Sequence, residues 1–302
     1  MRSAVAEYLG YLRVECGLAH TTCRAYAADL ERFVRYLESA AAFGRGGVRP
    51  EQVESDHVRA FLWLEERRGL ASRSRERALA AIGGLFRFLR AEGRLARDPV
   101  ERVSAPRRSR SLPRVLSAQA VERLLEAPWP QGPLGLRNRA LLEMLYATGG
   151  RVSEVCGLDL ARLQLDLGYV RVRGKGNRER VVPVGRAALA ALEEYVAEGR
   201  PRLLRPARAG EPALFLSRGG RRLDRHAAWR VVTARARALG IRPVPSPHTL
   251  RHSFATHLLS GGAGIREVQE LLGHADVATT EIYTHVDGQR LRAVHRRFHP
   301  RA

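Results

Sequence analysis

The strongest constraint on the fold is a proline- and arginine-rich segment, residues 106–114, about one-third of the way along the chain. It reads Pro-Arg-Arg-Ser-Arg-Ser-Leu-Pro-Arg, and its two prolines disfavour helix. A length of 302 residues suits about two domains. We therefore predict a first domain in residues 1–105, an extended basic linker in residues 106–113 and a second domain in residues 114–302.

The first domain has the apolar pattern of four amphipathic helices. The second helix begins near Thr21 and the fourth near Ser72, and both residue types favour helix N-caps. Apolar side chains of the fourth helix recur every three or four positions, at Leu79, Ile82, Leu85, Phe86 and Leu89. A glycine-rich stretch at residues 44–47 indicates a loop between the second and third helices.

The second domain is predicted to be mostly helical with a small antiparallel sheet. Helical patterns cover residues 118–126, 136–149, 186–199 and 224–239, and a run of short helices follows them. Residues 169–172 and 178–184 alternate like strands around a Gly-Lys-Gly-Asn turn, which is a strong hairpin signal. Residues 213–217 suggest a further short strand. The predicted fold class is mainly α, with a helical first domain and a mixed α/β second domain.

The net charge of +21 indicates a polyanionic partner, and nucleic acid fits it better than a membrane surface does. Residues 106–302 carry +17 of this charge. The fourth helix and the linker supply candidate phosphate contacts, namely Arg73, Arg75, Arg77, Arg107, Arg108 and Arg110. The alternative for the fourth helix is a solvated basic face.

The cysteines and the N-terminus point to the cytoplasm. Cys16, Cys23 and Cys156 have no metal-ligand spacing and cannot all pair, which fits a reducing compartment. No apolar run approaches the roughly 20 residues needed to span a bilayer. Glu7 stands where a signal peptide would be apolar. We expect a cytoplasmic protein.

Lys175 is the only lysine beside 51 arginines, and it lies in the turn of the predicted hairpin. An arginine keeps its proton near neutral pH, whereas a lysine with a lowered pKa releases it. The position therefore suggests a site where a cation must give up a proton. The alternative is a solvated lysine that persisted by chance in a glycine-rich turn.

His248 and Arg251 lie one turn apart at the start of a predicted helix that begins with Ser246 and Pro247. Free backbone N–H groups and the helix dipole favour an anion such as phosphate at that end. The alternative is that Arg251 is a surface charge and His248 a second cap. A zinc site is disfavoured, because no glutamate follows His248 as in His-Glu-x-x-His and no cysteine lies nearby.

Arg151, His274 and Tyr283 complete a set that suits phosphoryl transfer without a metal ion. Arginines stabilise the non-bridging phosphate oxygens, and tyrosine is a possible nucleophile. Lysine can protonate a departing alkoxide. The set contains no essential carboxylate pair, so it does not match a two-metal nuclease.

In this order and spacing, these residues resemble the tyrosine site-specific recombinases, the phage integrase family. The matching strings are Ala-Thr-Gly-Gly-Arg-Val-Ser-Glu, Arg-Gly-Lys-Gly-Asn-Arg-Glu-Arg, His-Thr-Leu-Arg-His-Ser-Phe-Ala-Thr-His, Leu-Leu-Gly-His and Thr-Thr-Glu-Ile-Tyr-Thr-His-Val. The resemblance covers essentially the whole chain and is nearest to the chromosomal Xer subgroup. Gly150 and Gly264 depart from the family pattern, which has a larger apolar residue and an aspartate there.

The resemblance implies a SAM-like core-binding domain that clamps duplex DNA together with the catalytic domain. It implies catalytic roles for Arg151, Lys175, His248, Arg251, His274 and Tyr283, with Tyr283 as the nucleophile. Tyr283 would form a 3′-phosphotyrosyl link, and neither a cofactor nor a metal ion is expected.

The partners implied by the resemblance are two DNA recombination sites and a tetramer of this protein, alone or with a related recombinase. The residues after Tyr283 would dock as a helix on the next protomer, and a septal DNA translocase is a further expected partner. The expected role is resolution of chromosome or plasmid dimers at segregation. The alternatives are a mobile-element integrase, a type IB topoisomerase-like relaxing enzyme and a non-catalytic DNA-binding relative.

Overall fold

A computed structural model describes residues 1–39, 48–104, 115–173, 179–273 and 285–301. The chain forms two compact units, Met1–Ser111 and Leu112–Ala302, each with its own hydrophobic core. The predicted linker, residues 106–113, lies outside the described residues. No helix in the described part of the chain is long and apolar enough to cross a membrane.

The first unit consists of four helices, as the sequence predicts. Helix α1 spans Arg2–Val14, α2 His20–Ser39, α3 Ser55–Arg67 and α4 Ser72–Ala91, with a short 3-10 turn at Pro50–Gln52 before α3. The apolar stripe predicted for α4 is buried along its whole length. Phe33 of α2 and Phe61 of α3 meet edge to face, with ring centroids 5.2 Å apart.

Buried carboxylates connect three of these helices. Asp29 on α2 is completely buried and accepts hydrogen bonds from Arg77 Nε on α4 and from Arg32 Nη2, both at 2.7 Å. Arg32 also donates from Nε to Glu65 on α3, at 2.9 Å, and Glu65 is 3% exposed. Because a buried charge is tolerated only when it is paired and hydrogen-bonded, Arg32 and Arg77 are structural partners of these acids.

The second unit is mostly helical and carries one small antiparallel sheet, which confirms the predicted fold class. Its helices are α5 (Ala118–Glu126), α6 (Pro133–Thr148), α7 (Val152–Cys156), α8 (Arg186–Glu194), α9 (Arg200–Leu203), α10 (Arg225–Ala238), α11 (Pro247–Ser260), α12 (Ile265–Leu272) and α13 (His285–Phe298). Strands β1 (Leu163–Gln164), β2 (Tyr169–Arg173) and β3 (Glu179–Pro183) pair in chain order. Val170 lies opposite Val182, so both valines face the core.

Helix α6 is the centre of the second core. Residues 140–150 are all buried, and a helix with apolar residues on every side must be covered on every side. Helices α5, α8 and α11 pack around it. The strand predicted at residues 213–217 is wrong, because Ala213 and Leu216 form only isolated bridges, to Asp159 and Arg222. Side chains take the place of a strand ladder along this segment, because Arg137 of α6 donates to Leu216 O and Arg200 of α9 donates to Ala213 O.

The last helix, α13, packs on its own unit. Leu291, Val294 and His295 are buried, and His295 Nε2 lies 2.9 Å from the carbonyl oxygen of Ala147 on α6. His299, just beyond the helix, stacks on His295 with ring centroids 4.4 Å apart. In this single chain the final helix therefore covers its own domain, whereas the family resemblance implies docking on a neighbouring protomer.

Replacing Asp29 with asparagine should destabilise the first unit by about 1–3 kcal/mol, because the neutral amide loses charge-assisted hydrogen bonds to Arg32 and Arg77. Hydrogen exchange of the α2 and α4 amides in the intact protein measures this change. Glu31→Gln is the matched control, since Glu31 lies on the same helix but is 43% exposed. Its surface ion pairs contribute less than about 1 kcal/mol. Equal protection in wild type and Asp29→Asn would contradict the prediction.

The packing of α13 should depend on pH. Burial lowers the pKa of His295 to about 4, and burial together with the charge of His295 lowers the pKa of His299 to about 2. Both rings stay neutral when packed and take up protons below about pH 6.5 when released. The packing is therefore strongest above that pH and weakens as the pH falls, by roughly 2 kcal/mol at pH 5 for His295 alone.

We expect hydrogen exchange of residues 290–298, corrected for intrinsic rates, to show more frequent opening at pH 5 than at pH 7. His295→Gln keeps a donor for the Ala147 carbonyl but does not titrate, so it should reduce this dependence to the part that His299 contributes. His226→Gln, at an exposed position on α10, should leave the dependence unchanged. Opening of wild-type α13 that is independent of pH would show that these histidines do not control it.

Candidate active site

The end of α6 places the first predicted arginine. Gly149 adopts the left-handed conformation, φ +54°, that often ends a helix, and a Cβ there would lie 2.4 Å from Phe254 Cδ1. At Gly150 a Cβ would lie 2.9 Å from Thr148 Oγ1 and 3.0 Å from Val155 Cγ2. Glycine at position 150, a departure from the family pattern, therefore suits the close packing around it.

Arg151 follows directly and is the N-cap residue of α7. Its backbone N–H donates to Glu154 Oε2 at 2.9 Å, and its Nη1 donates to Glu154 Oε1 at 2.8 Å. The Arg151 side chain is 44% exposed, whereas that of Glu154 is 3% exposed. Glu154 thus binds both the backbone N–H and one terminal nitrogen of Arg151, and the rest of the guanidinium is open to solvent.

Glu154 has a second, buried partner on the sheet. Arg180 of β3 donates to it from Nη1 at 3.2 Å and from Nη2 at 2.8 Å. Burial raises the pKa of Glu154, but the hydrogen bonds and charge of Arg180, followed by the hydrogen bonds from Arg151, outweigh it and lower the pKa to about 2. Glu154 is therefore an anion at any physiological pH.

Arg251 on α11 is held by the carbonyl ends of two other helices. Its Nη1 donates to Gly149 O at 2.7 Å, and its Nη2 donates to Leu272 O at 2.9 Å. The last carbonyls of a helix lack partners within it and carry the negative end of the helix dipole. Two such ends, those of α6 and α12, converge on one guanidinium that is 8% exposed.

The positive charges of the arginines in the site also affect the pKa of Arg251. Burial, followed by the positive charge of Arg151, lowers the pKa of Arg251 to about 10. Arg251 still carries its proton at neutral pH. Arg151, Arg180 and Arg251 thus face one carboxylate, Glu154, and this group has an excess of two positive charges. Such an excess favours binding of an anion.

His248 lies one turn before Arg251, as the spacing predicts. Ser246 and Thr249 form a capping box, in which Thr249 N–H donates to Ser246 Oγ at 3.2 Å and Ser246 N–H donates to Thr249 Oγ1 at 3.1 Å. His248 is exposed in this first turn of α11. The helix N-terminus that carries it is therefore open to an anion.

Three of the six predicted catalytic residues lie outside the described residues. Lys175 belongs to residues 174–178, between β2 and β3, whose paired ends are Arg173 and Glu179. His274 and Tyr283 belong to residues 274–284. The roles of these three residues remain predictions.

The arginines predicted to contact DNA differ in their surroundings. Arg73 is exposed, whereas Arg75 is 13% exposed and pairs with Glu66 at 2.7 Å. Arg77 is 43% exposed but bound to Asp29. The linker arginines Arg107, Arg108 and Arg110 lie outside the described residues.

Sequence reasoning missed Glu154 and Arg180. Glu154 stands three residues after Arg151, the spacing of a capping box, and this signal could have identified it. Arg180 occupies an inward position of β3, two residues before the buried Val182. An arginine at an apolar position of a strand indicates a buried acidic partner, but only the fold shows which one.

The comparisons with known proteins agree with this geometry. Residues 5–93 match the phage integrase N-terminal SAM-like domain, and residues 114–290 match the phage integrase family. The chain is 41% identical over 302 residues to tyrosine recombinase XerD of Listeria innocua, covering 100% of both proteins. It is 46% identical over 307 residues to tyrosine recombinase XerD of Mycobacterium tuberculosis, covering 98% of this chain and 96% of that one.

A solved structure has the same fold. XerH site-specific recombinase, bound to a palindromic difH substrate in a post-cleavage complex, matches with a TM-score of 0.70 and 26% identity. The match covers 90% of this chain and 78% of that one. With the full-length relatives and the two domain matches, it shows that the chain belongs to the phage integrase family and is a tyrosine recombinase.

Proposed function

We propose that this protein is a site-specific DNA recombinase that cleaves and rejoins duplex DNA through a 3′-phosphotyrosyl intermediate at Tyr283. The observation that carries the proposal is that Arg151 and Arg251 lie with Arg180 around the buried carboxylate of Glu154, in a group with an excess of two positive charges. Such a group, next to a helix N-terminus, suits a phosphodiester. The order of the six motif residues supports the same chemistry.

Both arginines keep free donors for a phosphate. A guanidinium has five N–H groups, and Arg251 uses two of them on carbonyls while Arg151 uses one on Glu154. The others have no partner among the described residues, and they can bind the non-bridging oxygens, which gain charge as the tyrosine attacks. Because these contacts exist before DNA binds, little reorganisation is required.

In the proposed reaction, the phenolic oxygen of Tyr283 attacks phosphorus and the bond between phosphorus and the 5′ oxygen breaks. His248 and His274 assist removal of the phenolic proton, and Lys175 gives a proton to the departing 5′ oxygen. The 5′-hydroxyl of a partner strand then attacks the phosphotyrosine, and Tyr283 leaves with a proton. One phosphodiester replaces another, so the cycle consumes no nucleotide.

For the biological role, we propose dimer resolution at segregation on two DNA sites held by four protomers. The full-length similarity to proteins named XerD supports an XerD-type role with an XerC-like partner, and a septal DNA translocase is a further proposed partner. We expect the reaction in the cytoplasm, because the three cysteines are all free, as in a reducing compartment. A mobile-element integrase is the alternative.

We expect the protein to form a denaturant-resistant adduct with a nicked duplex that carries its candidate site, in excess chelator. The nick lets the short fragment that carries the new 5′-hydroxyl diffuse away. Rejoining is then prevented, and the phosphotyrosine accumulates. Tyr283→Phe should abolish the adduct, and Tyr169→Phe on β2 is the matched control that should retain it. Bound DNA without an adduct, also after addition of an XerC-like recombinase, would favour a non-catalytic DNA-binding protein.

The same preparation separates recombination from topoisomerase-like relaxation. A recombinase joins strands from two duplexes that carry the site, and it yields Holliday junctions and recombinant products. A relaxing enzyme changes the linking number of one plasmid and exchanges nothing between two. Relaxation without exchange products would contradict the recombinase proposal while leaving the tyrosine cleavage intact.

Arg251→Lys should reduce the rate of adduct formation by about 100-fold or more, with little change in DNA affinity. An ammonium cannot reach both Gly149 O and Leu272 O and still present a planar pair of donors to the phosphate. The measurements are single-turnover cleavage and equilibrium DNA binding at fixed salt. Arg230→Lys, on the exposed face of α10, is the control for a charge-conserving change. Unchanged cleavage in Arg251→Lys would remove Arg251 from the reaction.

A further inference from the structure

Arg180 contacts the supports of both reaction arginines. It is 7% exposed on β3, and its Nη1 and Nη2 bind the two oxygens of Glu154, the carboxylate that holds Arg151. Its Nε lies 3.4 Å from Leu271 O, one residue before the Leu272 carbonyl that holds Arg251. One guanidinium thus lies between the carboxylate under Arg151 and the helix end under Arg251.

The backbone at the end of α12 leaves room for this guanidinium only because residue 273 is glycine. A Cβ on Gly273 would lie 2.9 Å from both Cδ and Nε of Arg180, and 3.0 Å from its Cζ. Real Cβ atoms do not approach other atoms so closely, so any larger residue would displace the arginine or the chain. Gly273 also has φ +66°, which favours glycine independently.

Arg180 also decides how strongly Glu154 holds Arg151. With Arg180 present, the buried Glu154 carboxylate receives two hydrogen bonds from the Arg180 guanidinium and only one from the Arg151 side chain. Without it, Arg151 would be the only one of these three arginines whose side chain is hydrogen-bonded to Glu154. A buried anion binds its last counter-ion tightly, so Arg151 would be drawn away from the phosphate.

We propose that Arg180 is a positioning residue for strand cleavage, which neutralises Glu154 and braces the end of α12 so that Arg151 and Arg251 present their free N–H groups to one phosphate. This inference rests on the proposed function. Arg180 itself is buried with both terminal nitrogens on Glu154, so it acts through its neighbours. In sequence, Lys175 precedes it by five residues and His274 directly follows Gly273.

Arg180→Met, which keeps the volume and removes the charge, should slow single-turnover cleavage of the nicked duplex by about 100-fold. DNA affinity at fixed salt should change by less than about threefold, since Arg180 does not face the DNA. Arg180→Lys keeps the charge but cannot bind both Glu154 oxygens and Leu271 O, so it should restore cleavage only in part. It also serves as the second variant if Arg180→Met folds poorly.

The double variant Arg180→Met with Glu154→Gln is the most specific test. Removing the carboxylate frees Arg151 from the counter-ion role, so the double variant should cleave about tenfold faster than Arg180→Met alone. A role in stability alone predicts recovery of the thermal midpoint only, because removing both members of a buried pair leaves no unpaired charge, and the folded fractions of the two variants would then cleave at the same rate. The thermal midpoint of each variant, measured beside its cleavage rate, separates lost folding from lost positioning.

Arg200→Met is the matched control. Arg200 is equally buried, at 7% exposed, in the same unit, but it donates only to the main-chain carbonyls of Ala213 and Glu211. It should lower the thermal midpoint at least as much as Arg180→Met does, while the folded fraction cleaves at the wild-type rate. Wild-type cleavage by folded Arg180→Met would overturn the inference and leave the proposed function standing. Wild-type protein that forms no adduct would instead overturn the proposed function.

Discussion

The ion pair between Glu154 and Arg180 is the interaction on which the site depends. A carboxylate that is 3% exposed is costly to bury, and it is stable here because two guanidiniums and a backbone N–H bind it. The pair joins β3 to α7 across 26 residues of sequence. Since Arg151 is the N-cap residue of α7, the position of the first reaction arginine relative to the sheet follows from this pair. A hydrophobic pair of similar volume would stabilise the fold as well, but it would leave Arg151 without a support.

The second reaction arginine is placed by helix ends, through a different physical mechanism. The carbonyls that close α6 and α12 have no partner within their helices, and Arg251 satisfies one at each end. These acceptors are neutral, so they orient the guanidinium without cancelling its charge. Arg151 is supported by an anion whose charge Arg180 already balances, and Arg251 is supported by dipoles. The site can therefore hold an excess of two positive charges in a partly buried place. A cluster in which every arginine is paired with its own carboxylate would have no such excess.

The sequence predicted the elements of this fold better than the contacts between them. Apolar periodicity located the four helices of the first unit and the hairpin, because both signals are local. The spacing of His248 and Arg251 on one helix was equally readable. The pairing of Glu154 with Arg180 could not be predicted from the sequence, since it depends on how α7 packs against the sheet. Residues 213–217 were taken for a strand because an apolar run does not reveal that side chains, such as those of Arg137 and Arg200, bind its backbone in place of a second strand. Gly264 stands where the family pattern has an aspartate, yet α12 begins directly after it, because Glu267 Oε2 accepts a hydrogen bond from Gly264 N–H at 2.8 Å.

The arginine content also has to be divided between structure and DNA. Arg137, Arg200, Arg222 and Arg235 each donate to main-chain carbonyls, and Arg77 is bound to Asp29, so part of the positive charge is held by contacts within the protein. The net charge of +21 therefore overstates the number of side chains available for phosphate contacts, although the buried charges still add to the field that attracts DNA. Lys175 differs from all of these arginines. The arginine guanidinium is planar and permanently charged, and it serves here for packing, for binding carbonyls and for the proposed phosphate contacts. A lysine side chain, in contrast, can release its proton. In the proposed reaction the departing 5′ oxygen takes its proton from Lys175, a role for which an arginine is a poor substitute.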